Sequence, residues 1–266
     1  GDIRDQDLLK KILPGHKYLI HLACISNDPS FELNPTLGKS INLDAFEPLV
    51  RISKNAGIKR FVYASSSSVY GIKEIKNVHE NIDLEPITDY SKFKAQCEKI
   101  LMDFKNENFI CTVIRPATVC GYSKRQRLDV IVNILSNIGY HNKEISVFGG
   151  EQLRPNIHID DITDLYLFLL RRPELQGIYN AGFENMSIND MALLIQASTN
   201  AAILKMPSND PRSYRLNSDK LLATGFSPKK NVDVAIKEIC TAYQRGELEN
   251  KPQFNNLLYM QTEVFK

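Results

Sequence analysis

The 266-residue sequence lacks an excess of charge of either sign, because 33 lysines and arginines balance 31 aspartates and glutamates, for a formal net charge of +2 at pH 7. Such a balance argues against a nucleic-acid binder that relies on a strong basic field, and against a generally disordered chain. The sequence also lacks any apolar run close to the ~20 residues that a helix needs to cross a bilayer. We therefore expect neither a nucleic acid nor a membrane as a partner.

Paired cysteines are missing as well. The five cysteines are scattered and form no CxxC motif, at Cys24, Cys97, Cys111, Cys120 and Cys240. This pattern argues against a zinc site and against a thioredoxin-like redox motif. We expect free thiols in a reducing, cytoplasmic setting, and no bound metal.

Apolar residues make up 43% of the chain and fall into short runs separated by helical stretches. The predicted strands lie at 18–23, 60–65, 109–114, 145–148 and 177–180. The predicted helices lie at 35–56, 90–104, 127–138, 160–170, 188–199 and 231–243, and a tail without a clear period follows from 244. Near-continuous apolar strands that alternate with helices predict an α/β fold with a parallel sheet and helices on both of its faces.

The strongest candidate for chemistry is the pair Tyr90 and Lys94, which lie four residues apart and therefore share one face of the predicted helix. A tyrosine is a poor base because its ordinary pKa is about 10, but a neighbouring ammonium favours the phenolate. A phenolate can accept a proton from a hydroxyl while a hydride leaves the same carbon. Tyr and Lys four residues apart are also common by chance on exposed helices. The spacing alone does not decide between a catalytic pair and such a chance pair.

A run of serines supports the catalytic interpretation. The predicted strand at 60–65 leads into four consecutive serines at 65–68. Open α/β sheets bind ligands at the carboxyl ends of their strands, where a serine can hydrogen-bond a substrate oxygen. A plain serine-rich turn is the alternative, but it does not explain the Tyr90–Lys94 pair that follows at a helix start.

With these motifs in this order, the sequence resembles the extended short-chain dehydrogenase/reductase family, and more closely its sugar-nucleotide epimerase/dehydratase branch, from residue 1 to about 242. Tyr90 and Lys94 match the family's YxxxK pair. Ser66, counted back from the Val69-Tyr70-Gly71 segment, matches its catalytic Ser or Thr. The resemblance implies that Tyr90 is the base, that Lys94 favours its phenolate and holds the nicotinamide ribose, and that Ser66 orients the sugar's C4 hydroxyl.

The same resemblance implies an NAD site, with NADP not excluded. The start of the chain would meet the adenine, the strand end at 22–24 would follow the cofactor phosphates and ribose, and the turn at 115–118 would flank the nicotinamide. Cys24 stands where the family commonly has alanine. The implied cofactor-binding residues are Asp2, Ile3, Leu22, Ala23, Cys24, Asn42, Tyr90, Lys94, Pro116 and Thr118.

On the substrate side, residues 149–161 resemble the family's Arg-x-x-x-His segment, in which Arg154 would bind the diphosphate of a nucleotide-sugar. The run at 124–129 resembles a substrate-covering segment, and 210–214 resembles a late segment whose arginine reaches the diphosphate. The implied substrate-binding residues are Ser66, Ser67, Arg127, Asn133, Arg154 and Arg212. We interpret His158 as structural, because its context is that of a strand before a helix cap.

The implied fold is a Rossmann-type doubly wound parallel sheet, incomplete at its N-terminus, with a smaller, interleaved C-terminal substrate-binding domain. The cofactor-binding domain is expected at 1–122, with 157–181 returning to it, the substrate-binding region at 123–156 and 182–250, and a tail at 251–266. The family also implies a homodimer, formed by the helices that contain residues 41–52 and 93–104.

The family's opening glycine-rich loop is missing, since Gly15, Gly38 and Gly57 are isolated. That loop lets the backbone approach the cofactor pyrophosphate at a helix N-terminus. We expect the natural polypeptide to carry roughly 50–60 further N-terminal residues with a strand–loop–helix segment. The 266 residues alone are expected to bind NAD(P) poorly.

The resemblance thus implies an NAD(P)-dependent epimerase that oxidises a nucleotide-sugar at C4 and reduces it again on the other face. A C4 dehydrogenase or ketoreductase uses the same three residues and stays open as an alternative. A second alternative is a non-catalytic relative that binds a nucleotide-sugar or a partner protein through the same fold.

Two serines predict that 4,6-dehydration does not occur. Dehydratases of the family place Asp and Glu directly after the catalytic Ser or Thr, where they protonate the leaving C6 hydroxyl and remove the C5 proton. This sequence has Ser67 and Ser68 at those positions, and a serine hydroxyl lacks the acidity for either role near neutral pH. We expect mass spectrometry to detect no 4-keto-6-deoxy product from any nucleotide-hexose, and detection of one would contradict the prediction.

Overall fold

Strands and helices alternate along the residues that the computed structural model describes, which are 1–208, 213 and 215–264. The helices are α1 Gln6–Ile12, α2 Asp28–Glu32, α3 Pro35–Lys39, α4 Phe46–Asn55, α5 Asp89–Phe104, α6 Ile131–Asn142, α7 Ile159–Leu170, α8 Ile188–Thr199, α9 Asp219–Leu222, α10 Val232–Gln244 and α11 Asn256–Tyr259. The strands are β1 Tyr18–His21, β2 Arg60–Ala64, β3 Ile110–Pro116, β4 Thr118–Cys120, β5 Glu144–Phe148, β6 Leu153–His158, β7 Gly177–Ala181, β8 Glu184–Ser187 and β9 Ala202–Met206. Short 3-10 turns occupy Ser67–Tyr70 and Pro252–Phe254, and π-helical turns occupy Ser40–Asp44 and Met260–Val264.

The chain divides into two compact units. The first unit comprises 1–71, 80–116 and 165–180, and the second comprises 72–79, 117–164 and the described part of 181–266. The domain limits expected from the sequence differ from these at 72–79, 117–122, 157–164 and 181. The first of these segments joins the second unit because Val78 forms a parallel bridge with Leu216.

A four-stranded sheet in the order β1-β2-β3-β7 lies at the centre of the first unit. β1, β2 and β3 run parallel, with Ile20 opposite Val62 and Val62 opposite Thr112. Parallel neighbours need long crossover connections, and the helices of this unit supply them. The predicted α/β class with a parallel sheet is confirmed.

Helices cover one face of this sheet. Phe61 and Tyr63 on β2 are at most 2% exposed and pack with buried residues of α1, α4 and α5. The ring of Phe46 on α4 lies 4.7 Å from that of Tyr63 and 6.0 Å from that of Phe61, measured between centroids. At the start of the same strand, the buried guanidinium of Arg60 donates to the carbonyl of Arg172 at 2.6 Å. A charged side chain therefore fixes the N-terminal end of β2 to the segment that follows α7.

The helix predicted at 35–56 is interrupted, which corrects the expectation from spacing. A π-helical turn at Ser40–Asp44 separates α3 from α4. The amide of Asn42 in this turn accepts from the Ile25 N–H and donates to the Ile25 carbonyl, both at 2.9 Å. These bonds to a distant segment hold the turn wide, and apolar spacing along one helix does not reveal them.

A second correction concerns the helix predicted to start at Arg127, since α6 starts at Ile131. The N–H of Leu128 donates to the carbonyl of Phe254 at 2.8 Å. In the same segment Arg127 binds the carboxylate of Asp129 at 3.0 Å. Contacts with the C-terminal residues thus keep this segment out of the helix.

The second unit contains a sheet in the order β4-β6-β8 and the parallel pair β5-β9. Its core is formed by α6, α8 and α10 around the fully buried Ile145 and Val147 of β5. The sequence analysis does not predict β4, β6, β8 or β9. β4 has only three residues, and polar side chains interrupt β6 and β8. β9 is largely apolar and was missed. Within the described residues, no helix has the length and apolar character needed to span a membrane.

The aromatic contacts around Phe61 predict a large loss of stability on truncation. Phe61 is 0% exposed, so Phe61→Ala should lower the free energy of unfolding by about 3–5 kcal/mol. The control is Ile12→Ala in the same unit, whose side chain is 48% exposed and whose loss should cost far less. Urea denaturation followed by circular dichroism measures both variants, and equal losses would contradict the prediction.

Candidate active site

Candidate residues meet at the carboxyl ends of β1 and β2 in the first unit. β1 leads into Leu22, Ala23 and Cys24, and β2 leads into the four serines at 65–68. α5 returns to the same place, because the Lys94 ammonium donates to the carbonyl of Ala64, the last residue of β2, at 2.7 Å. The carboxyl ends of parallel strands are where open α/β sheets bind ligands.

The start of α5 is fixed by its cap. Thr88 is the N-cap, and its side chain and that of Ser91 exchange hydrogen bonds with each other's backbone N–H. The Thr88 hydroxyl also donates to the carboxylate of Asp28 on α2 at 2.6 Å. Tyr90 is therefore held in the first turn of a helix whose N-terminus cannot fray easily, and Lys94 follows one turn later.

Lys94 is a buried ammonium, 6% exposed. Its nitrogen lies 4.9 Å from the ring centroid of Tyr63 and 5.7 Å from that of Tyr90, both within the range of cation–π contacts. Burial by itself would lower the pKa of Lys94, but the ionisable groups of Cys24 and Tyr90 more than offset it, so the pKa is raised. Lys94 therefore stays protonated beside Tyr90.

Ser66 caps the 3-10 turn at Ser67–Tyr70. Its Oγ accepts hydrogen bonds from the Ser68 N–H at 3.1 Å and from the Ser68 hydroxyl at 2.9 Å. Ser66 is half-buried and Ser67 is buried. With two donors already aimed at its oxygen, the Ser66 hydroxyl is suited to donate its own proton to a further acceptor.

A buried network that the sequence analysis missed lies beside these residues. Glu98 on α5 forms an ion pair with Arg115 on β3 at 2.6 Å, and both side chains are 3% exposed. The Ser65 hydroxyl donates to the same carboxylate. Arg115 also donates to the hydroxyl of Tyr70 at 2.7 Å, which in turn donates to the Asn180 amide oxygen at 2.8 Å. The signal in the sequence is that Glu98 continues the four-residue step of Tyr90 and Lys94.

The other cofactor candidates of the first unit are less uniform. Leu22 and Ala23 are exposed at the end of β1, whereas the Asn42 side chain is used by the backbone of Ile25. Asp2 is exposed and pairs with Arg4, and the hydrogen bonds from that guanidinium lower its pKa to about 2. The remaining three, Ile3, Cys24 and Pro116, are half-buried.

The second unit contains Thr118, Arg127, Asn133 and Arg154. The Asn133 amide oxygen accepts from the Gly121 N–H at 3.0 Å, and its nitrogen donates to the Arg127 carbonyl at 2.9 Å. Asn133 thus fixes the backbone that carries Arg127. Arg154 is half-buried on β6, and Thr118 is half-buried on β4. Arg212 lies outside the described residues.

His158 contacts protein groups through both ring nitrogens. Nδ1 accepts from the Asp160 N–H at 3.1 Å, and Nε2 lies 3.0 Å from a carboxylate oxygen of Glu238. The carboxylates of Asp160 and Glu238 and the imidazole of His158 lie close enough together to hold a metal ion. The Lys230 ammonium already bridges the carboxylates, at 2.6 Å from Asp160 and 2.5 Å from Glu238, and these contacts give His158 a structural place.

A neutral histidine lies behind Lys94. His21 on β1 stacks on Tyr63, with ring centroids 5.8 Å apart. Burial, and then the charge of Lys94, lower the pKa of His21 to about 3. The unfolded chain takes up this proton near pH 6.5, so between pH 6.5 and about 3 the unfolded state binds one more proton than the folded state. The folded state should therefore lose stability as the pH falls through this window.

Replacement of His21 should remove this pH dependence. His21→Phe should reduce the slope of the unfolding free energy between about pH 4 and 6.5 by up to ~1.4 kcal/mol per pH unit, the equivalent of one proton. His16 is exposed in the same unit, and His16→Phe serves as the control. Urea unfolding over this pH range gives the slopes, and an unchanged slope in His21→Phe would show that the buried imidazole is not the source.

Known proteins resemble the chain in both sequence and fold. Residues 1–182 match the NAD dependent epimerase/dehydratase family. The chain is 28% identical to dTDP-D-glucose 4,6-dehydratase of Dictyostelium discoideum, over 68% of this chain and 45% of that protein. It is 25% identical to UDP-glucose 4-epimerase of Lactobacillus helveticus, over 89% of this chain and 80% of that protein. The chain therefore spans less than half the length of the first relative and four fifths of the second.

The fold is similar to that of a solved structure named as a UDP-glucose 4-epimerase. UDP-glucose 4-epimerase of Thermotoga maritima, solved with UDP-glucose, has a TM-score of 0.83 to this chain at 22% identity, and the similarity covers 93% of this chain and 84% of that one. This likeness supports the fold, and the family match runs through β1, β2, α5 and β3. The resemblance inferred from the motifs is thereby confirmed, and the chain belongs to the NAD-dependent epimerase/dehydratase family.

Proposed function

We propose that this chain carries the reactive site of an NAD(P)-dependent epimerase that oxidises a nucleotide-linked sugar at C4 and reduces it again on the opposite face. The observation that carries the proposal is the position of the Lys94 ammonium, 2.7 Å from the carbonyl that ends β2 and 5.7 Å from the ring centroid of Tyr90. Ser66 follows two residues after that carbonyl. Tyr90, Lys94 and Ser66 thus belong to one strand end, where such folds bind ligands.

Each of the three residues has a distinct role in the proposal. The Tyr90 phenolate takes the proton of the C4 hydroxyl as the hydride leaves that carbon, and returns a proton when the sugar is reduced. The Lys94 ammonium favours the phenolate by its charge. The Ser66 hydroxyl donates to the C4 oxygen and orients it, which is consistent with the two hydrogen bonds that its oxygen accepts from Ser68.

The strand ends of the first unit are proposed to contribute to the site of a nicotinamide dinucleotide, which would accept and return the hydride when bound. Leu22 and Ala23 leave the end of β1 exposed, and the buried Lys94 ammonium lies at the end of the neighbouring strand. The proposal includes both NAD and NADP. In the second unit, Arg154 is proposed to bind the diphosphate of the sugar nucleotide, because the planar guanidinium suits phosphate oxygens. Arg127, whose guanidinium is paired with Asp129, stays a further candidate for substrate binding.

Epimerisation is favoured over 4,6-dehydration by the residues after Ser66, although relatives with both activities in their names resemble the chain. Ser67 is 4% exposed, and the Ser68 hydroxyl donates to Ser66. Neither position offers the carboxyl group that protonates a leaving hydroxyl or the carboxylate that removes a carbon-bound proton.

A homodimer and a cytoplasmic location are also part of the proposal. α4 and α5 pack against each other, and Leu43, Ile52 and Ile100 line a surface groove beside them, which suits a contact between two copies of this helix pair. All five cysteines are unpaired, in keeping with a reducing compartment.

Tyr90→Phe tests the chemistry directly. The change removes the ionisable oxygen and little volume, so kcat should fall by roughly two to four orders of magnitude, while nucleotide-sugar affinity changes little. Tyr18→Phe is the matched control, because that phenol is 51% exposed on the sheet edge. Turnover of UDP-, GDP-, CDP- and dTDP-sugars by the complete protein is the measurement, and near-normal turnover in Tyr90→Phe would refute the mechanism.

Arg154→Ala should have the opposite effect. Loss of a charge-assisted contact to the diphosphate is expected to weaken nucleotide-sugar binding at least tenfold and to leave kcat at saturation within a few-fold of the original. Arg245→Ala, at an exposed position of the same unit, is the control. Calorimetry gives the affinities, and unchanged binding in Arg154→Ala would remove this residue from the proposed diphosphate site.

A further inference from the structure

The ion pair between Glu98 and Arg115 connects three elements that carry the proposed site. Glu98 lies on α5, two turns after Tyr90 and one turn after Lys94, and at ~1.5 Å per residue it is about 6 Å along the helix from Lys94. Arg115 lies near the end of β3, directly before Pro116. The guanidinium donates to both carboxylate oxygens, at 2.6 to 3.1 Å. The helix with the proposed base is thereby fixed to the end of a neighbouring strand.

The same pair holds both ends of the serine turn. Before the turn, the hydroxyl of Ser65 donates to Glu98, and its N–H donates to the Ile114 carbonyl of β3 at 2.8 Å. After the turn, the hydroxyl of Tyr70 accepts from Arg115 at 2.7 Å. Ser66 lies between these two anchors, adjacent to the first. Its position relative to α5 is therefore constrained by these contacts, in addition to the hydrogen bond from Lys94 to the Ala64 carbonyl.

Stability alone gives a weak reason for such an arrangement. A buried ion pair commonly contributes no more than well-packed apolar residues of similar volume, because both charges lose their hydration. The ion pair instead contributes directional contacts. Glu98 makes hydrogen bonds of fixed geometry with Ser65 and Arg115, and apolar contacts would not fix the positions of these groups in the same way. A reacting hydroxyl that is misplaced by about 1 Å can cost a hundredfold in rate.

We propose that Glu98 is a positioning residue, which acts through Ser65 and Arg115 to hold the Ser66 hydroxyl in register with Tyr90 and Lys94. The inference rests on the proposed function, since it assigns Ser66 the C4 oxygen as its partner. Glu98 itself is proposed to contact neither substrate nor cofactor.

Two variants and one control test the inference in the complete protein. Ser65→Ala removes one hydrogen bond to the carboxylate, and Glu98→Gln keeps the shape but removes the charge that holds Arg115. Asp103→Asn removes a carboxylate from an exposed position of the same helix and is the control. Thermal unfolding establishes whether each variant is folded at the assay temperature. If Glu98→Gln does not fold, the result for Ser65→Ala decides the test.

Two readouts are required. Steady-state kinetics should give a kcat about tenfold lower in Ser65→Ala and about a hundredfold lower in Glu98→Gln, with KM within twofold, because the ground-state contacts of the sugar nucleotide are retained. Amide hydrogen exchange should be at least tenfold faster at Val69 and Gly71, whose N–H groups donate to the carbonyls of Ser66 and Ser68. The control should change neither quantity.

The outcomes separate this inference from the proposed function. If the original protein turns over nucleotide-sugars and a folded variant keeps either its kcat within twofold or its exchange rates, Glu98 is not a positioning residue. If the original protein turns over none of them, the proposed function is wrong, and exchange alone then decides whether the ion pair fixes the turn. A fall in kcat together with faster exchange in the variants supports the inference.

Discussion

The buried ammonium of Lys94 is the constraint on which the candidate site depends. A buried ammonium group keeps its proton only if nearby dipoles, ring faces or negative charges replace the stabilisation that water gave it. Lys94 is met by the Ala64 carbonyl, by the ring faces of Tyr63 and Tyr90, and by the thiol of Cys24. These groups come from α5, from β2 and from the segment after β1, so one cation fixes three elements. The neutral state of His21 behind it follows from the same charge and the same burial.

A second buried cation lies near the same end of the sheet. Arg115 is paired with Glu98, whereas Lys94 is bound by the Ala64 carbonyl and by aromatic ring faces. Burial raises the pKa of Tyr63 beside Lys94 and of Tyr70 beside Arg115. A positive charge next to Tyr90 favours its phenolate, and this is the electrostatic role that the proposal gives to Lys94. The capping box of Thr88 and Ser91 stabilises the first turn of α5, which contains Tyr90.

The features that could be predicted from the sequence are those determined by local spacing. The apolar runs at 60–65 and 109–114 correspond to β2 and β3 within two residues, and the four-residue step from Tyr90 to Lys94 identified the candidate pair. Features set by distant contacts escaped prediction. The turn at Ser40–Asp44 depends on bonds between Asn42 and Ile25, and the late start of α6 depends on the Phe254 carbonyl. The ion pair of Glu98 escaped prediction because its partner, Arg115, lies on a distant element, β3.

In the proposed reaction, one site removes a hydride from C4 and returns it to the same carbon. The most direct test is to incubate the complete protein with a nucleotide-hexose deuterated at C4 and to analyse the product by NMR. We expect the C4 epimer with deuterium retained at C4, because the hydride leaves and returns without exchange with water. Loss of the deuterium to solvent, or the absence of an epimer from UDP-, GDP-, CDP- and dTDP-hexoses alike, would contradict it.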